Sequence, residues 1–131
     1  MKLIKEISKI EYTTKEMIGY LLLAFRRAKS KYTEERLTFY LRELMLSLKC
    51  VEKDKIWETV DINLVSNFPF SHIVNCDELI CYGLMVFYTL LKPNQVIAEQ
   101  DIISQLEVDM RLYSSRNVTD EAKKILIKLK K

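Results

Sequence analysis

Turn chemistry is scarce in this chain of 131 residues, which has two glycines, Gly19 and Gly83, and two prolines, Pro69 and Pro93. A sandwich or barrel needs a turn roughly every 8–12 residues, usually marked by Gly, Pro, Asn or Asp. So few breakers exclude a many-stranded β fold and suit helices. Histidine is scarcer still: His72 is the only one, so most nucleophile–base pairs would have to run through that imidazole. No G-x-S-x-G, P-loop, G-x-G-x-x-G or H-E-x-x-H pattern occurs. An E-x-x-H pair for a di-iron bundle is missing too, because Pro69 stands three residues before His72. Asp77 and Glu78 are neighbours in sequence, so they do not share a helix face, and helix capping accounts for them.

Long hydrophobic runs are also lacking. The longest uncharged apolar stretch is Leu79–Leu91, LICYGLMVFYTLL. As a helix it would span roughly 20 Å, short of the roughly 30 Å of a hydrocarbon core, so no membrane crossing is expected. The first residues, MKLIKEISKIEY, carry charges throughout and contain no unbroken apolar segment of the kind a secretory leader needs. With three cysteines, an odd number, the expectation is reduced thiols in a cytoplasmic setting.

What the sequence does contain is helical patterning. Apolar residues make up 49% and charged residues 30%, an ordinary globular balance. The length predicts one domain over 1–131. The predicted fold is all-α, a compact bundle of five to seven helices around a buried central helix at about 77–91. Asn75 or Asp77 would cap that helix, and Lys92-Pro93 would stop it. Gly83 inside it predicts a close approach by a neighbour, since an interior glycine is otherwise a poor helix former.

Around this centre, Leu3, Ile4, Ile7 and Ile10 suggest a short helix over 2–11. Thr13 and Glu16 form a capping-box pattern opening a helix whose inner face is Ile18, Leu21, Leu22 and Phe25. Thr33, with Glu34 and Glu35, would cap the next helix. There Leu37, Leu41, Leu44 and Leu48 make the stripe and Met45 widens it. Ile56, Trp57, Val60 and Leu64 fit a helix, and Val60, Ile62 and Leu64 equally fit a strand. Helix over 55–65 is preferred, because no second segment offers a strand partner. Phe68-Pro69-Phe70 reads as a loop pinned by aromatics. Asn94 would cap a helix reaching Tyr113 with Ile102, Ile103, Leu106 and Met110 inward. After a polar connection over 114–118, Thr119 would cap a last helix to about Leu129.

Few constellations carry chemistry. His72, Cys76 and Cys81 fall at H-x3-C-x4-C spacing, with Cys50 as a fourth candidate, and zinc takes this residue set. There is no C-x-x-C pair, however, and Cys81 lies inside the apolar centre, where free cysteine behaves as a small hydrophobe. Buried thiols and a loop histidine are therefore expected, with no metal and no cofactor.

Charge is segregated. Residues 1–50 carry a net +5, 51–112 a net −6 and 113–131 a net +4. Such asymmetry bears on partners and association rates. Glu99, Asp101, Glu107 and Asp109 supply an acidic surface for a basic protein partner, unless they are simply a solvated helix face. Phe39 and Leu46 lie opposite the leucine stripe and mark either two-sided burial or a contact surface. Arg26, Arg27, Lys29 and Lys31 form a basic segment near Tyr20, Tyr32 and Tyr40, and Lys123–Lys131 forms another. A nucleic-acid surface would use such runs, although cations at a helix C-terminus explain both. The expectation drawn from size, missing catalytic residues and segregated charge is a small cytoplasmic protein-binding protein without enzymatic activity. Its form would be an inhibitor, immunity protein or antitoxin that neutralises a toxin, such as a basic nuclease, by masking it. A homodimer is compatible with this. The alternative is a small nucleic-acid-binding regulator using the 26–31 segment.

Overall fold

The capping box expected at Thr13 is formed. In the computed structural model, which describes residues 10–28, 36–90 and 96–129, Glu16 N donates to Thr13 Oγ1 at 3.1 Å and Thr13 N donates to Glu16 Oε1 at 2.9 Å. Two amides without a helical acceptor are thus satisfied, and helix α1 runs Thr14–Ala28. Eleven of its fifteen residues are buried, Met17 to Phe25 without a break, so the middle of α1 is covered on every side and shares the central role with the expected hub helix. That hub is α3, Cys76–Leu90. It starts with the same device: Glu78 N donates to Asn75 Oδ1 at 2.8 Å and Asn75 N to Glu78 Oε1 at 3.4 Å. Between them in sequence lies α2, Arg36–Cys50, and after them α4, Glu99–Leu112, and α5, Ser115–Leu129. Helix α3 packs against α2, α4 and α5, and α1 packs against α2. The architecture is all-α, with five helices among the described residues around one shared hydrophobic core.

Gly83 marks the contact at which three helices meet. A Cβ there would stand 2.7 Å from Leu21 Cδ2 of α1 and 3.0 Å from Leu44 Cδ2 of α2. Nearby, the buried Tyr40 hydroxyl donates to the Leu21 carbonyl. Its ring lies against Phe87, which stacks on Phe25.

A small antiparallel ribbon was not expected. Strand β1, Glu11–Thr13, pairs with β2, Ile73–Asn75, in a register that sets Tyr12 opposite Val74. Tyr12 and Val74 point into the core and their neighbours point out. Each strand runs directly into a helix, β1 into α1 and β2 into α3. Thr14 fastens the junction. Its hydroxyl donates to the Phe70 carbonyl at 2.8 Å and accepts from His72 N at 3.2 Å, while its own N donates to His72 O at 3.1 Å. Phe68 and Phe70 pack against the core beside this clasp, as the loop expectation required.

Elsewhere the boundaries move. The segment 55–65 is neither the preferred α-helix nor a strand. It forms two 3₁₀ turns, Lys55–Glu58 and Ile62–Val65. The first is held against α1 by close contact: a Cβ at Gly19 would meet Ile56 Cδ1 at 2.5 Å. The second is started by Asp61, whose carboxylate accepts from Asn63 N at 2.9 Å. Helix α4 begins at Glu99, with Ala98 extended before it and Ala98 N donating to Asp101 Oδ2 at 3.0 Å. Helix α5 begins at Ser115, because Ser114 accepts from Val118 N at 2.9 Å and from Asn117 N at 3.4 Å. That leaves Thr119 inside the helix rather than at its cap. Glu11 lies in β1, and the rest of the helix expected over 2–11, apart from Ile10, lies outside the described residues, as do the caps expected at Thr33 and Asn94 and the stop at Lys92-Pro93.

Candidate functional site

The four acids expected to form one recognition surface are dispersed. Glu99 is bound to Arg26 through two hydrogen bonds, Nε to Oε1 at 2.6 Å and Nη2 to Oε2 at 3.1 Å. A third donor of the same guanidinium reaches the Thr59 carbonyl. Arg26 therefore joins the end of α1, the 3₁₀ segment and the start of α4, and its hydrogen bond to Glu99 raises its pKa further. The residue expected on an acidic surface and the residue expected on a nucleic-acid surface neutralise each other. Asp101 is exposed but is tied to Ala98 N. Glu107 pairs with Arg111 one turn on, at 3.2 Å.

Asp109 is a clear correction. It is 3% exposed, not part of a solvated face. At about 100° per residue it points only about 20° away from Ile102, at the edge of the buried arc. Its Oδ1 accepts from Gln105 Nε2 at 3.0 Å, and its Oδ2 has no hydrogen-bond partner among the described residues. Burial pushes its pKa up, and the Gln105 bond opposes this in part.

The basic segment is also partly consumed. Arg27 donates from Nη1 to Ser47 Oγ at 3.2 Å, on a serine buried within α2. Lys29 and Lys31 lie outside the described residues. Of the residues singled out from sequence, Phe39 and Leu46 remain in one place, on the outer side of α2. Phe39 is half-buried against the core and Leu46 is 43% exposed. Met45, expected to widen the inner stripe, is instead 46% exposed.

Sequence reasoning missed Arg42 and Lys49, which are exposed on the same face. Neither pairs with an acid among the described residues. Residues seven apart on a helix differ by only about 20° in direction. Phe39 with Leu46 and Arg42 with Lys49 therefore form adjacent rows, with Met45 on the far flank. That seven-residue repetition was the signal available in the sequence.

The cysteine–histidine set does not converge. Cys50 and His72 are exposed, Cys76 is buried and Cys81 is half-buried. Burial raises the Cys76 thiol to about 11, and raises that of Cys81 despite its bond to Thr119. Among the described residues no three His, Cys, Asp or Glu side chains are placed to hold a metal ion. No described helix is long and apolar enough to cross a membrane. Compared with known proteins, the chain matches no family model, no curated protein and no solved structure.

Proposed function

We propose that this chain is a protein-binding domain without enzymatic activity, an inhibitor or immunity-type protein that works in the cytoplasm by masking its partner. The observation that supports this is the outer face of α2. Met45 and Leu46 stand 46% and 43% exposed beside two cations that pair with no acid among the described residues. Removing such apolar area from water contributes about 25 cal/mol per Å², and interfaces are centred on patches of this kind. The polar groups of greatest chemical interest are committed to joints instead: Arg26 to Glu99, Thr14 to the 70–72 segment, Asp61 to the second 3₁₀ turn. The version in which an acidic α4 meets a basic partner loses two of its four residues, Glu99 to an internal pair and Asp109 to burial. The α2 face takes its place as the contact surface.

The test is capture of the partner from native cytosol, with and without nuclease, using the wild type and a Met45→Glu/Leu46→Glu variant whose circular dichroism is unchanged. The wild type is expected to retain a protein in stoichiometric amount through nuclease treatment, and the variant to lose it. Captured material that disappears with nuclease would replace this reading with the nucleic-acid alternative. Capture indifferent to both substitutions would remove the α2 face.

A further inference from the structure

We propose that the α2 face is built for an acidic amphipathic helix, one carrying carboxylates seven residues apart between apolar residues. This rests on the reading of α2 as the contact surface and adds the chemistry of what meets it. Around the helix axis the outward order is Met45, Thr38, Lys49, Arg42, Leu46, the half-buried Phe39 and Cys50, so the two cations lie between apolar flanks, with Thr38 beside Lys49. Arg42 and Lys49 are two turns apart, roughly 10 Å along the axis. A second helix laid alongside presents residues seven apart on one face at that same spacing. An extended strand does not match it: residues on one face of a strand recur every two positions, at roughly 7 or 13 Å.

The charge sign follows from what surrounds the cations. Both stand without an acidic partner among the described residues, so carboxylates arriving from outside meet uncompensated positive charge. Arg42 offers a planar fork that takes a carboxylate in two hydrogen bonds, and Lys49 offers a point charge. Met45 and Leu46 on either side exclude water from those contacts and supply apolar area. Nucleic acid is the poorer match, since two cations neutralise few phosphates and apolar flanks offer nothing to a phosphate backbone.

The probe is a synthetic helical peptide of three heptads with leucine at each first and glutamate at each fourth position, together with a version bearing lysine for glutamate. Binding is read by fluorescence anisotropy on the full chain. The glutamate peptide is expected to bind the wild type, and to bind Arg42→Glu/Lys49→Glu about tenfold more weakly. The lysine peptide is expected to show the reverse preference, which also demonstrates that the variant is folded. Failure of the glutamate peptide to bind, or equal binding of both peptides to the wild type, overturns the proposal. The native capture assay separates this failure from that of the protein-binding reading. If Met45→Glu/Leu46→Glu abolishes capture and Arg42→Glu/Lys49→Glu leaves it intact, the acidic-helix inference is wrong and the α2 contact face stands. If neither pair of substitutions affects capture, both are wrong.

Discussion

Replacing Asp109 by asparagine tests the packing of α4 against the core. The residue is 3% exposed, one carboxyl oxygen accepts from Gln105, and the other has no hydrogen-bond partner among the described residues. Burial raises its folded pKa above the ordinary value of about 3.9 that applies in the unfolded chain. The folded state therefore holds this proton more tightly than the unfolded state does. The stability linked to the group is fully present below the unfolded pKa. It is lost as pH climbs to the folded pKa, and above that it changes no further.

Asparagine keeps an oxygen for Gln105 and places an uncharged amide NH2 at the orphan position. At low pH the protonated acid and the amide each leave one neutral polar group unpaired, so the two proteins should be alike within about 0.5 kcal/mol. As pH rises the wild type loses the stability linked to this proton, whereas the amide does not titrate and loses nothing. The asparagine variant should then be the more stable by at least about 1 kcal/mol, equivalent to about 4 °C in Tm for a chain of this size. Thermal and urea unfolding of both proteins from about pH 4 to pH 8 measure the difference. A stability gap that does not change with pH would refute the reasoning, as would an asparagine variant less stable at neutral pH.

Gly83→Leu forces atoms into a space where even a Cβ would lie 2.7 Å from Leu21 Cδ2. Overpacking costs about 1–3 kcal/mol, so Tm should fall by several degrees, and an unchanged Tm would contradict the close approach. Arg26 and Glu99 are 30% and 25% exposed and joined through two hydrogen bonds. A double-mutant cycle with alanine should give a coupling of about 1 kcal/mol, at the upper end for pairs not fully buried. Arg26→Ala should cost more than Glu99→Ala because it also frees the Thr59 carbonyl. Coupling near zero would mean the pair is incidental.

Where a cap and an apolar stripe coincide, the sequence was readable. Thr13 with Glu16, Asn75 as one of two candidate caps beside Asp77, and the leucines of α2 each mark their element through neighbours within one or two turns. The β1–β2 ribbon offered no such signal, because three residues are too few to display a period of two. Residues 55–65 carried both periods at once, and contact with Gly19, more than thirty positions away, belongs to tertiary structure. Ser114 and Thr119 are both good N-cap residues, and local pattern does not rank them. The acidic surface misled for two different reasons. Arg26 and Glu99 are 73 residues apart, so their pairing is invisible locally. Asp109 lies in the inward arc, where pattern reading expects an apolar residue.

The Thr14 clasp also constrains the order in which the molecule can assemble. Its partners lie 56 to 58 positions further along the chain, and closing a loop of that length costs roughly 3–4 kcal/mol in chain entropy before any contact forms. At ribosomal speeds of about 5–20 residues per second, roughly 3–12 s separate the synthesis of Thr14 from that of His72. Throughout that interval α1, apolar around nearly its whole circumference, has only α2 and then the two 3₁₀ turns to lean on, and none of the cover that α3 and α4 bring. A nascent chain halted before β2 should bind chaperones and resist solubilisation, and one extended past α3 should not.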